Sequence, residues 1–138
     1  MKNVYICHPY TALPEENLAK VRRIVSLVAQ AHINRMVKLD ASNKTNYPQD
    51  YLEEDLVCPV SPMLSFPEFM SETQGVKREH AMAFCFSLLR GCDELWVCSD
   101  EISAGMKSEI AFASRLKIPV FFMESYFDEN STYWLLDR

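Results

Sequence analysis

No run of lysines or arginines occurs in the 138 residues, and the formal net charge is -5. Binding along a nucleic-acid backbone needs a basic face, so a nucleic-acid polymer is not an expected partner. A small anionic ligand stays open, because a few local donors can hold it. There is no C-x-x-C pair, and the three histidines are scattered without ligand spacing, so no metal site is expected. The P-loop and the G-x-G-x-x-G turn are both missing, which removes the familiar routes to triphosphates and dinucleotides, and no cofactor is expected. Neither a signal peptide nor a bilayer-spanning apolar stretch is visible, so a membrane is not an expected partner either.

Apolar residues make up 49% of the chain, enough for one packed domain over residues 1–138. The five cysteines, Cys7, Cys58, Cys85, Cys92 and Cys98, are odd in number and lie within apolar runs. Their pattern is that of reduced thiols acting as small hydrophobes, and it predicts a cytoplasmic protein.

Along the chain, "NVYIC" (3–7) predicts a first strand and "HPYTALPEEN" a loop. Pro14, Glu15 and Glu16 open a helix, with proline in its first turn and carboxylates at the positive end of its dipole. Leu18, Val21, Val25, Val28 and His32 form its apolar stripe, and its end is expected near Asn34. Residues 35–55 are mostly polar and predict a loop with a short helical turn at 48–54. "LVCPV" (56–60) is a second strand. The prolines of "SPMLSFPEFMSETQG" predict an irregular loop. A second helix over 76–91 ends at Gly91, and its apolar middle predicts burial by the sheet on one side and by a partner or loop on the other. A third strand (93–99), a third helix (104–116), a fourth strand (118–124) and a tail with an apolar "YWLL" patch follow.

This β-α-β-α-β-α-β order predicts an α/β fold: a flavodoxin- or Rossmann-like three-layer sandwich on a mostly parallel sheet of four to five strands. In such sheets the ligand crevice lies at the carboxyl ends of the strands. The loops 8–14, 61–75 and 99–104 are expected to share it.

One residue breaks the pattern. At roughly 100° per residue, Glu109 falls amid the apolar arc of the third helix, with Met106, Ile110, Phe112, Ala113 and Leu116. A carboxylate there loses hydration, which raises its pKa unless donors compensate. Ser103 is a candidate N-cap, Gly105 allows close backbone approach, and the first-turn amides form an anion cradle. The alternative is that Glu109 reaches the helix edge or pairs with a lysine.

"SAGMKSE" (103–109) resembles the Ser/Asp-x-Gly-x-x-x-Glu segment of the nucleoside 2-deoxyribosyltransferase and deoxynucleotide N-glycosidase superfamily. "CDELWV" is similar to the aspartate-bearing strand before it, and "VYICHPY" to the family's opening strand. The resemblance spans most of the chain and lies closest to small bacterial and phage members with a "SPML"-type second loop. It implies that Glu109 is a catalytic nucleophile, that Ser103 contacts a 5′-phosphate, and that His8, Pro9 and Tyr10 cradle the sugar or base. The chain departs from the family at Lys107, where a second glycine is common. It departs again in "AFCFSLL", where the family carries an acid about eight residues before the strand aspartate.

The implied reaction is N-glycosidic cleavage or transfer on 2-deoxynucleosides or their 5′-monophosphates. Glu109 attacks C1′ through an oxocarbenium-like transition state. Tyr10, Phe66 and Phe69 are candidates to stack the base, and His8, His80 and Asp100 to protonate it. Gly105 and Met106 belong to the substrate-binding turn. Asp93 either orients a ligand or caps its turn. Arg78, Glu79 and His80 either bind phosphate or form a solvated first turn. His8 either acts as an acid or bonds loop backbone, and His32 is a packing residue. Cys7 has no visible base to activate it. Two other functions compete: a nucleotide- or nucleotide-sugar-binding module without turnover, and an NAD-cleaving glycohydrolase. The apolar second helix and the tail predict a homodimer or higher oligomer.

Overall fold

The computed structural model describes residues 1–10, 14–66 and 78–123. Four strands are described: β1 (Lys2–Cys7), β2 (Val57–Val60), β3 (Glu94–Val97) and β4 (Val120–Phe122). They form one sheet in the order β2-β1-β3-β4, with every neighbouring pair parallel. The helices are α1 (Pro14–Ala41), α2 (Pro62–Ser65), α3 (Arg78–Arg90) and α4 (Ala104–Arg115). This is the α/β arrangement expected of a flavodoxin- or Rossmann-like sandwich. The chain leaves β1 for β2 on one side and later crosses to β3 on the other. The switch point therefore lies between β1 and β3, at their carboxyl ends.

Alternation along β1 divides the core in two. Val4 and Ile6 face α1 and pack with Ile24, Val28, Trp96 and Cys98. Tyr5 and Cys7 face the other way and pack with Leu89, Leu95, Val97, Met106 and Ala113, under α3 and α4. The period-2 pattern of β1 and β3 thus serves both faces of a sheet covered by helices. Pro59 cannot donate a ladder hydrogen bond, and β2 is an edge strand, where that loss is tolerated. Trp96 is buried, and its indole N–H donates to Glu94 at 3.0 Å; Lys2 binds the same carboxylate at 3.0 Å. These bonds hold the start of β3 against β1.

Three elements differ from the sequence expectation. Helix α1 runs seven residues beyond Asn34, because residues 35–41 hold no breaker and Met36 and Leu39 keep partial cover. It stops at Asn43, whose φ of 58° is left-handed, and Asp40 then accepts bonds from Thr45 and Tyr51. A 3-10 turn follows at Pro48–Glu53, where the short turn was expected. Pro62 does not forbid regular structure: it occupies the first position of α2, where its missing N–H costs nothing. The third difference is α3, whose only buried described residue is Leu89, while Ala83 and Phe84 are exposed. Cys85 and Leu88 pack against the core under the sheet, and Ala81, Met82 and Cys85 line the cavity described below. Phe69, residues 67–77 and the tail from residue 124 lie outside the described residues.

No helix among the described residues is long and apolar enough to cross a membrane.

Candidate active site

Helix α4 starts where the sequence places it. Ser103 Oγ accepts the Met106 N–H at 3.2 Å, and Ser103 O accepts the Lys107 N–H at 3.0 Å. Met106 Sδ returns a contact to the Ser103 N–H at 3.5 Å, in the position a glutamate takes in a capping box. The other end is closed by Lys117 at φ 60°, and the Ile118 N–H reaches Ala113 O at 2.9 Å. With both ends fixed, Met106, Glu109 and Ala113 form the buried face. Glu109 is 9% exposed, so it neither reaches the helix edge nor pairs with a described lysine.

The carboxyl of Glu109 borders a cavity of about 200 Å³. A single water needs only ~10–15 Å³ on this measure, so the space suits a larger guest. All three carboxyl-end loops contribute walls: His8 and Tyr10 after β1, Met63 and Phe66 after β2, Ser103 and Gly105 after β3. Ile6 of β1 contributes to the floor. Helix α3 supplies the remaining side with Arg78, Ala81, Met82 and Cys85. Those four are spaced i, i+3, i+4, i+7, one stripe of a helix. Phe66 is braced edge-on by Phe84 at 5.8 Å, and Phe86 stacks on Phe112 at 4.5 Å, tying α3 to α4.

Burial raises the Glu109 pKa from 4.5 to about 7, and the nearby Tyr5 hydroxyl opposes that only in part. Tyr5 is fully buried, and its oxygen lacks a well-formed hydrogen bond although it lies beside Glu109 and Cys85. An orphaned buried hydroxyl next to a buried carboxyl is costly, and such costs concentrate at functional sites. The Cys85 thiol is pushed up to about 11 by burial and by Glu109, so it stays protonated. Cys7 is driven higher still by burial, which makes it an inert core thiol rather than a nucleophile.

At the cavity mouth an anion cradle takes shape. A methyl group added at Gly105 would come within 3.4 Å of Arg78 Nη2 and 4.0 Å of Ser103 Oγ. These are ordinary van der Waals distances, so the guanidinium lies over the first turn of α4 in contact range of Gly105. The Ala104 and Gly105 amides have no intrahelical acceptor, as at any helix start. Arg78 forms no ion pair with a described residue.

His8 lies on the cavity wall and is 8% exposed. Its Nδ1 sits 2.8 Å from Pro9 O. A carbonyl only accepts, so Nδ1 carries the proton. Burial lowers the His8 pKa, the Pro9 bond opposes this, and Lys20 adds to the lowering. The ring is thus neutral, with Nε2 bare. It does bond loop backbone, and it is no proton donor at rest.

Other expected residues stand elsewhere. Asp93 is at the amino end of β3, opposite the cavity, where its carboxylate accepts the Asn3 N–H at 2.8 Å. It caps the β1–β3 junction rather than touching a ligand. Asp100, Glu79 and His80 are exposed and do not border the cavity. Pro9 and Met106 are buried beneath the wall without lining it. Tyr5, Met82 and Cys85 were not singled out from the sequence; the α3 stripe headed by an arginine was the available signal for the last two.

Among the described residues, no cluster of three or more metal-ligating side chains occurs. No curated protein and no solved structure matches the chain. A family model does match residues 36–123, a stretch carrying Arg78, Cys85, Ser103 and Glu109 but not β1 or His8. The chain therefore belongs to the family described as a domain of unknown function, DUF7768.

Proposed function

We propose that the protein cleaves or transfers the N-glycosidic bond of 2-deoxynucleosides or their 5′-monophosphates, with Glu109 as nucleophile. The observation that carries this reading is the Glu109 carboxyl, buried at the switch point and facing a cavity walled by three strand-end loops. Its ionisation near neutrality suits the task. A desolvated carboxylate is a stronger nucleophile, and its charge stabilises an oxocarbenium-like centre. One Glu109 oxygen bonds to C1′, the C1′–N bond breaks, and the base leaves with the electron pair. Water or a second base then discharges the ester.

The remaining walls fit this chemistry. The Tyr5 hydroxyl sits beside the attacking carboxyl and is free to donate to it. Tyr10 and Phe66 offer aromatic faces to a base. Arg78, Ser103 and the start of α4 favour a 5′-monophosphate over a bare nucleoside. The segment "SAGMKSE" and its resemblance to the deoxyribosyltransferase and N-glycosidase superfamily support the same reading.

A binding module without turnover is favoured by one observation. Where the resemblance expects an acid, eight residues before Asp93, the chain has Cys85, a protonated thiol on the cavity wall. A substrate panel separates the two. Wild-type protein incubated with deoxy- and ribonucleosides, their 5′-monophosphates and NAD is expected to release free base from 2-deoxy compounds, fastest from monophosphates. A melting-temperature shift with every nucleotide recovered intact would favour the binding module instead, and nicotinamide release from NAD would redirect the substrate assignment.

A further inference from the structure

Resting on the glycosyl-transfer reading above, we infer that His8 is the general base of hydrolysis, its Nε2 taking the proton from the water that discharges Glu109. Three observations lead there. The Pro9 carbonyl can only accept, which fixes the proton on Nδ1 and leaves the Nε2 lone pair available. No described group bonds Nε2, and the ring borders the same cavity as Glu109. Among the described residues lining the cavity, Glu109 is the one carboxyl, and it is consumed as the ester after the first step.

The step balances. Water oxygen bonds to C1′ while the C1′–O bond to Glu109 breaks, and that electron pair restores the carboxylate. The water proton moves to Nε2. The Arg78 side chain lines the same cavity, and Lys20 on α1 opposes a positive charge on His8. The carboxylate regenerated on Glu109 in the same step offsets it. The imidazolium then returns its proton to solvent. The Pro9 bond holds the ring in one orientation throughout, as a second partner does for other catalytic imidazoles.

The test uses rapid-quench kinetics on the full chain with whichever 2-deoxy compound of the panel is cleaved. His8→Asn can keep an N–H near the Nδ1 position for Pro9 while deleting Nε2. His8→Gln reaches the Nε2 position without its basicity. Both variants are expected to release a first equivalent of base at close to the wild-type rate. Steady-state turnover should then fall ~100-fold or more, and intact mass after acid quench should show a deoxyribosyl ester accumulating on Glu109. If burst and steady state fall together in both variants, His8 merely supports the loop and the inference is overturned. Unchanged turnover in either variant also overturns it. These failures differ from failure of the underlying reading, in which wild-type protein releases no base or Glu109→Ala retains the burst.

Discussion

Glu109→Gln is expected to melt at a higher temperature than wild type at pH 8, at the same temperature below pH 4.5, and to lose base release by ~10³-fold or more. In the unfolded chain Glu109 ionises near its ordinary 4.5, whereas in the fold it keeps its proton up to about 7. Between those pH values folding takes up a proton, so stability falls as pH rises through the window. Below it, both states are protonated and the penalty is absent. Above pH 7 the penalty is complete, on the order of 3 kcal/mol for a rise of this size. Glutamine has nearly the same shape and no charge, so it escapes the penalty across the whole range. The same substitution replaces the nucleophilic carboxylate with a neutral amide. A gain in stability joined to a loss of activity is the signature of a side chain held for chemistry rather than for packing. Thermal melts at pH 4, 6 and 8, beside base-release assays, check both halves. A variant less stable than wild type at pH 8 would mean that the carboxylate is well solvated or well bonded.

Arg78→Ala is expected to raise KM for a 5′-monophosphate roughly 10- to 100-fold while leaving the corresponding nucleoside within a few-fold. A hydrogen bond to a charged group contributes about 1.5–3 kcal/mol, which sets that range. The guanidinium and Ser103 Oγ both lie within 4.0 Å of the position of a Gly105 side chain, so all three would meet one phosphate. Arg78→Lys keeps the charge and loses the planar fork, and should fall between the two. The distinguishing feature is the difference between the two substrates. A general disturbance of α3 would weaken nucleoside and monophosphate alike. Steady-state kinetics on matched pairs decides it. Equal KM changes would remove Arg78 from phosphate recognition.

The sequence was most legible where the signals are local. The strand-forming run "NVYIC" marks β1, the apolar arc of α4 places Glu109 on a face, and Ser103 is a capping side chain at the expected spacing. Together these located Glu109 on the buried side of its helix without any knowledge of tertiary structure. Signals that depend on what lies opposite were not readable. Tyr5 looks like an ordinary strand residue until Glu109 and Cys85 stand beside it. Asp93 is the right residue type, yet strand direction puts it at the far end of β3. Asp100 is in the right loop but turns outward. The end of α1 was missed because the stretch 35–55 is mostly polar as a whole, while Met36, Val37 and Leu39 at its start carry the helix on to Ala41, just before the left-handed Asn43. Arg78 was one charge among three in a first turn; its place on the cavity wall beside Gly105 separates it from Glu79 and His80.

The catalytic proposal rests on Glu109 being a desolvated carboxyl, which gives up its proton only near neutral pH and then attacks as the carboxylate. Carbon-13 NMR of protein labelled at the glutamate side-chain carboxyls, assigned by the signal missing from Glu109→Gln, measures this without any assumption about substrate. The account predicts one carboxyl titrating near pH 7, displaced when a deoxynucleoside 5′-monophosphate is added. A Glu109 signal with its midpoint in the ordinary range around 4.5, unmoved by nucleotide, would contradict it.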